Sequence, residues 1–135
     1  MSGVVVVAEN GQGRYQQAVT VGQHQLIADE PISVGGADAG PAPFDFIMAG
    51  LGACTSMTLR MYAERKGLAL TRISVALSHE KTEIDGVSRD RIIRNITLDG
   101  DLTDEQRQRL LEIANKCPVH RALAHSLILD CALAA

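Results

Sequence analysis

Residues 4–7 are all valine, a β-branched apolar run that predicts a strand. Asn10-Gly11-Gln12-Gly13 follows, and Asn-Gly is a strong hairpin signal. Residues 15–21 and 24–28 predict two further strands, parted at Gly22-Gln23. Asp29-Glu30-Pro31 ends the third, because proline cannot donate to a ladder. Residues 33–43 are dense in glycine and proline and predict a loop. Pro43 suits the first turn of a helix, which is predicted from Phe44 to about Lys66 and closed by Gly67. The first half of that helix (Phe44, Phe46, Ile47, Met48, Ala49, Leu51, Ala53) is apolar nearly all round, the pattern of a helix buried on every side. Its second half carries Arg60, Glu64, Arg65 and Lys66 and emerges into solvent.

Residues 73–79 alternate with period two and predict a half-buried strand. Asp85-Gly86 marks a turn, and residues 91–99 predict a second strand with Ile92, Ile96 and Leu98 on one face. The charged run 89–94 is expected on the exposed side of this hairpin. Thr103-Asp104-Glu105-Gln106 has the form of a capping box and opens a helix with Leu110, Leu111, Ile113 and Ala114 inward. Cys117-Pro118 breaks that helix, a short one runs from 119 to about 126, and residues 127–133 predict a final strand that places Cys131 in the core. The order βββ-α-ββ-α-α-β predicts an α+β fold with antiparallel sheets around a buried central helix. A small domain buries a smaller share of its surface, so a helix apolar on every side favours a homodimer.

At 135 residues the chain has the size of one domain, residues 1–135. It is 46% hydrophobic and 21% charged, an ordinary composition for a packed core. No apolar run approaches the ~18 residues of a membrane span, so no membrane partner is expected. The start lacks a basic n-region, which argues against a signal peptide and for a cytoplasmic protein. A net charge of −3 argues against a nucleic-acid partner, as does an aromatic content of 3% with no Trp.

Cysteine usage adds more. Cys54 lies in the most apolar stretch of the central helix. Cys117 precedes Pro118 at the start of a short helix, at the positive end of its dipole, which favours a thiolate. Spacing alone favours reading both cysteines as small buried core residues; the other reading is a redox pair if the fold brings them together. Cys117 and His120 have half the spacing of a zinc site, but only Cys54 offers an obvious third ligand, so no metal is expected. No glycine-rich nucleotide motif is present, and no cofactor is expected.

The segment Gly40-Pro-Ala-Pro-Phe-Asp-Phe46, then Leu51-Gly-Ala-Cys-Thr-Ser-Met-Thr-Leu-Arg-Met-Tyr-Ala-Glu-Arg-Lys-Gly67, resembles the central helix of the OsmC/Ohr (osmotically inducible and organic hydroperoxide resistance) family. Gly100-Asp-Leu-Thr103 and Ile113-Ala-Asn-Lys-Cys-Pro-Val-His-Arg121 resemble the same family, and Asp29-Glu-Pro31 and Gly35-Gly36 fit its pattern. The likeness runs over roughly residues 14 to 133. It implies an intertwined homodimer that reduces organic hydroperoxides, with a dithiol such as dihydrolipoamide as reductant. It implies that Cys54 is the peroxidatic residue and Cys117 the resolving one, and Arg14 best matches the arginine that keeps the reactive thiolate charged. The family's glutamate falls where this chain has Phe44. Asp45 is the neighbouring carboxylate, but at about 100° per residue an ideal helix aims it away from Cys54. Glu30 is a second acidic candidate, from the loop side. Phe44, Met48, Leu51 and Met57 are candidates to line an apolar substrate pocket, and His120 to sit beside it. Two further readings are a non-catalytic module binding a small apolar or thiol ligand, and a thiol redox sensor.

Overall fold

The computed structural model describes residues 3–134. The chain resolves into two compact units, one ending at Ile47 and one beginning at Met48.

In the first unit, β1 (Val5–Glu9), β2 (Gln17–Val21) and β3 (His24–Ala28) form an antiparallel sheet in the order β1-β2-β3. The second strand starts at Gln17 rather than at residue 15. Asn10 lengthens the connection by hydrogen bonding the Gln16 side chain at 2.9 Å while its Oδ1 accepts from the Gln12 amide. The Gly/Pro-rich loop has one organising residue. The buried Asp29 carboxylate accepts from the backbone N–H groups of Glu30, Ala37 and Ala39 at 2.8–3.1 Å. These bonds hold the carboxyl below its usual range, that from Ala39 most strongly and despite burial. A short 3-10 turn, Ile32–Val34, lies inside the loop.

Helix α1 (Pro43–Lys66) begins where proline is tolerated, at a position needing no N–H donor. Beyond it, β4 (Leu70–Ile84) and β5 (Val87–Gly100) form one long antiparallel hairpin. Asp85 and Gly86 turn it with φ of 52° and 77°, the double positive φ of a type I′ connection. Both strands run further than the apolar alternation predicts. Their distal halves are polar on both faces, and opposite charges at paired positions, Lys81 with Asp90 and Glu80 with Arg91, accompany the extension.

Helix α2 (Asp104–Ala114) opens with the complete capping box: Thr103 accepts from the Gln106 amide and the Gln106 side chain accepts from the Thr103 amide. Helix α3 (Pro118–Arg121) follows and runs into a π-type turn, Ala122–Ser126. The core of this second unit is Leu59 and Ala63 of α1, Leu70 of β4, and Leu110, Ile113 and Ala114 of α2. Ile73, Ile96 and Leu98 of the hairpin close it from the sheet side. Leu111, expected inward, is exposed: it lies beside Leu110 in sequence, and the core takes Leu110, Ile113 and Ala114.

The fold is α+β with antiparallel sheets, as expected, but two features differ within one chain. The expected closing strand is not formed. Residues 127–134 have no regular structure, Ile128 and Leu129 are 82% and 84% exposed, and Cys131 is exposed rather than in the core. A strand needs an edge to pair with, and apolar alternation alone does not supply one. The first half of the central helix is not buried on every side, since Phe44 and Ile47 are 37% and 41% exposed and Ala49 and Ala53 are exposed, and further along so are Met57 and Met61.

Leu59 is fully buried at the centre of the core. Leu59→Ala is expected to cost about 2–5 kcal/mol of stability. Urea unfolding of the two proteins measures the loss, and a cost under about 1 kcal/mol would show that this cluster does not carry the fold.

Candidate active site

Two elements bring the cysteines together. Gly52 lets α1 pass close over β4: a Cβ there would sit 2.7 Å from Leu77 Cδ1. Two and three residues on, α1 presents Cys54 and Thr55. The break between α2 and α3 delivers Cys117, which caps α3: its Sγ accepts from the His120 amide at 3.4 Å, and Pro118 takes the first helical position. The thiols of Cys54 and Cys117 lie close enough to shift each other's ionisation, and the Val119 amide lies near enough to favour the charged form of both.

Their electrostatics differ. Burial pushes the Cys54 thiol up, and the neighbouring Cys117 adds to this, against smaller opposing bonds from the Val119 amide and Thr58. Burial also pushes Cys117 up, but hydrogen bonds from Cys54, the His120 and Val119 amides and Thr55 outweigh it, leaving Cys117 below the usual thiol range. Of the two, Cys117 is therefore the more acidic and Cys54 the less acidic thiol. Cys117 is fully buried and Cys54 partly exposed.

The sequence reading missed Arg94. Its guanidinium donates to Thr55 Oγ1 at 2.8 Å, the Ala114 carbonyl at 3.2 Å and Asn115 Oδ1 at 2.9 Å, and it meets His120 Nδ1 at 2.9 Å. The signal was present. Arg94 has the same parity as Ile92, Ile96 and Leu98, so strand alternation puts it on their inward face. A guanidinium only donates, so His120 Nδ1 is the acceptor and the ring is the neutral tautomer with its proton on Nε2. Burial first, then the charges of Arg94 and His125, hold His120 below the ordinary histidine range.

Leu51, Ile92, Arg94, His120, Leu123 and Ala124, with Arg89 and Asp90, line a cavity of about 390 Å³. Of the proposed substrate residues, Leu51 and His120 share this cavity. Met57 lines a different one with Arg60, Met61 and Ile73. Met48 is half-buried, and Phe44 is partly exposed in the first unit. Arg14 lies in the same unit, stacked 4.9 Å from the Tyr15 ring centroid. Asp45 is also there, inside regular helix because α1 starts at Pro43, and its carboxylate accepts from the Ala42 amide at 2.9 Å. Among the described residues, no group of three His, Cys, Asp or Glu side chains could hold a metal ion, and no helix is long and apolar enough to cross a membrane.

Fold and site together define an α+β protein with a dithiol centre on a helix and a helix elbow. The family model described as OsmC-like protein matches residues 35–131, and the chain belongs to that family. Solved structures share the fold. An OsmC-like protein from Mycoplasma pneumoniae is 17% identical with a TM-score of 0.77, covering 93% of this chain and 89% of the other. OhrB, an organic hydroperoxide resistance protein of Bacillus subtilis, is 21% identical with a TM-score of 0.66 over 93% and 92%. An organic hydroperoxide resistance protein, OsmC, from Legionella pneumophila is 18% identical with a TM-score of 0.70 over 93% and 91%. No curated protein matches the sequence.

The bond from Arg94 to His120 needs the neutral ring. A histidine held below its unfolded value of about 6.5 contributes stability that is present above that pH and lost as pH falls toward the folded value. The melting temperature is expected to drop between about pH 6.5 and 5, and to drop less in His120→Gln, whose amide oxygen accepts from Arg94 at any pH. Equal acid slopes in the two proteins would remove His120 as the cause.

Proposed function

We propose that this protein is a thiol-dependent peroxidase that reduces organic hydroperoxides, working as a homodimer. The observation that carries the reading is the meeting of Cys54 and Cys117, thiols close enough to shift each other's ionisation. Cys54 is the attacking sulfur because it is partly exposed, whereas Cys117 is fully buried. The Cys54 proton passes to Cys117, and the Cys54 thiolate attacks the distal peroxide oxygen. The O–O bond breaks, Cys54 becomes a sulfenic acid, and the alkoxide takes the proton from Cys117 to leave as the alcohol, which returns Cys117 to its thiolate. The Cys117 thiolate then attacks the sulfenic sulfur, expelling hydroxide and forming the Cys54–Cys117 disulfide. A dithiol of the dihydrolipoamide type returns both thiols.

Arg14 is the residue that the family likeness assigns to holding the Cys54 thiolate. Asp45 stands beside the position of the family's glutamate, with its carboxylate engaged at the start of α1. The apolar part of the substrate occupies a pocket to which Leu51 and His120 contribute from the cavity beside Arg94. Met48 is the remaining candidate of the second unit, whereas Met57 lines a separate cavity. Apolar contact favours alkyl over hydrogen peroxide, at roughly 25 cal/mol per Å² buried.

The homodimer accounts for apolar surface that one chain leaves open: the valines at 4–7, Met57 and Met61 on α1, and Leu127, Ile128, Leu129 and Leu133 at the end. Sedimentation at micromolar concentration is expected to give twice the 14.5 kDa chain mass. A monomer would leave these surfaces without a second copy to cover them.

One equivalent of an alkyl hydroperoxide is expected to consume both site thiols and leave a Cys54–Cys117 disulfide identified by mass spectrometry. Cys54→Ser is expected to abolish peroxide consumption, and Cys117→Ser to leave a Cys54 that over-oxidises to sulfinic acid. Unchanged thiols with the peroxide intact would sink the assignment. The same pocket would then be tested for binding a small apolar ligand.

A further inference from the structure

We propose that Arg94 is the positioning residue of the dithiol centre: it orients the Thr55 hydroxyl and His120 so that both serve the Cys117 sulfur as it takes negative charge. The geometry carries this. Thr55 is fully buried, and its oxygen accepts from Arg94 at 2.8 Å. With the Thr55 oxygen so occupied, its single proton has two acceptors, the Leu51 carbonyl at 2.7 Å and the Cys117 sulfur. A neutral thiol is a weak acceptor and leaves that proton on Leu51, whereas a thiolate draws it over. On its other edge Arg94 holds the His120 ring at 2.9 Å, and the His120 amide donates to Cys117 Sγ at 3.4 Å. The remaining bonds, to the Ala114 carbonyl and Asn115, fix the end of α2 that delivers Cys117.

The groups facing Cys117 come from each packed element. Helix α1 brings Cys54 and Thr55, and α3 brings the Val119 amide and His120, with His125 beyond it. Strand β5 brings Arg94, which acts through Thr55 and His120. The purpose of the arrangement rests on the peroxidase reading. A reductant thiolate attacks Cys54 of the disulfide: a bond forms between the reductant sulfur and Cys54, the Cys54–Cys117 bond breaks, and its electron pair stays on Cys117. The second sulfur of the dithiol then displaces Cys54 as a thiolate, completing the two-electron transfer. A sulfur of lower pKa leaves faster, so seating charge on Cys117 directs attack to the more accessible Cys54.

The test titrates Cys117 alone, by thiolate ultraviolet absorbance against pH in protein carrying Cys54→Ser and Cys131→Ser. Thr55→Val is expected to move the midpoint to higher pH, and Thr55→Ser, which keeps the hydroxyl, to leave it in place. Arg94→Met is expected to move it up as well, and to add less in the Thr55→Val protein than alone, because the two act through one bond. If Arg94→Met does not fold by circular dichroism, Arg94→Lys is held to the same criterion. An unmoved midpoint in Thr55→Val, or an Arg94 effect undiminished by Thr55→Val, overturns the proposal. The titration needs no peroxide, so its outcome is independent of whether the unmodified protein consumes hydroperoxide.

Discussion

A single half-buried guanidinium ties the second unit together around its chemistry. Arg94 reaches from β5 to α1 through Thr55, to the end of α2 through Ala114 and Asn115, and to α3 through His120. Hydrogen bonds from a charged donor are stronger than neutral ones, and removing such a donor leaves buried acceptors without their partner. Thr55 is fully buried, donates its proton to the Leu51 carbonyl and accepts from Arg94. The elbow between α2 and α3 is also held by its own backbone, the Lys116 and Cys117 amides donating to the Ile113 and Ala114 carbonyls. Arg94 adds the side-chain bonds that tie this elbow to β5 and α1.

The consequence for reactivity is an asymmetric thiol pair. Cys54 and Cys117 influence each other's ionisation, but at Cys54 burial outweighs the opposing Val119 amide and Thr58, while at Cys117 amide and hydroxyl donors outweigh burial. Access runs the other way, since Cys117 is fully buried and Cys54 is not. In the proposed cycle the two gradients divide the labour: the open sulfur meets peroxide and reductant, and the buried sulfur receives and releases charge.

The core that supports this is small. Leu59, Ala63, Leu70, Leu110, Ile113 and Ala114 make up its buried heart, all in the second unit. The helix that carries Cys54 buries one side and leaves methionines on the other, and the C-terminal segment spends its apolar residues in the open. In a short chain the apolar residues exceed what one chain covers. In the proposed homodimer, the same surplus becomes the interface.

Much of the local structure is legible residue by residue, because short-range chemistry decides it. Pro43 and Gly67 bound α1, Thr103 and Gln106 build the capping box, and Asp85-Gly86 turns the hairpin at the expected place. The family likeness is equally local, resting on the motifs around Cys54 and Cys117. Features that depend on a distant partner were not determined this way. Residues 127–133 alternate like a strand, yet they form none in the chain, because pairing needs an edge that local pattern cannot supply. The hairpin outruns its apolar stretch, because cross-strand register and a type I′ turn also propagate pairing. Arg94 looks like one more charge in a polar run, and only its inward parity hints otherwise. That Thr55, Asn115 and His120 converge on it is a property of three elements packed on one strand. So is the meeting of Cys54 with Cys117. Sequence determined most of the elements and the reactive residue types. Tertiary packing decided the surroundings of each sulfur, because those depend on donors brought from elements far apart in the chain.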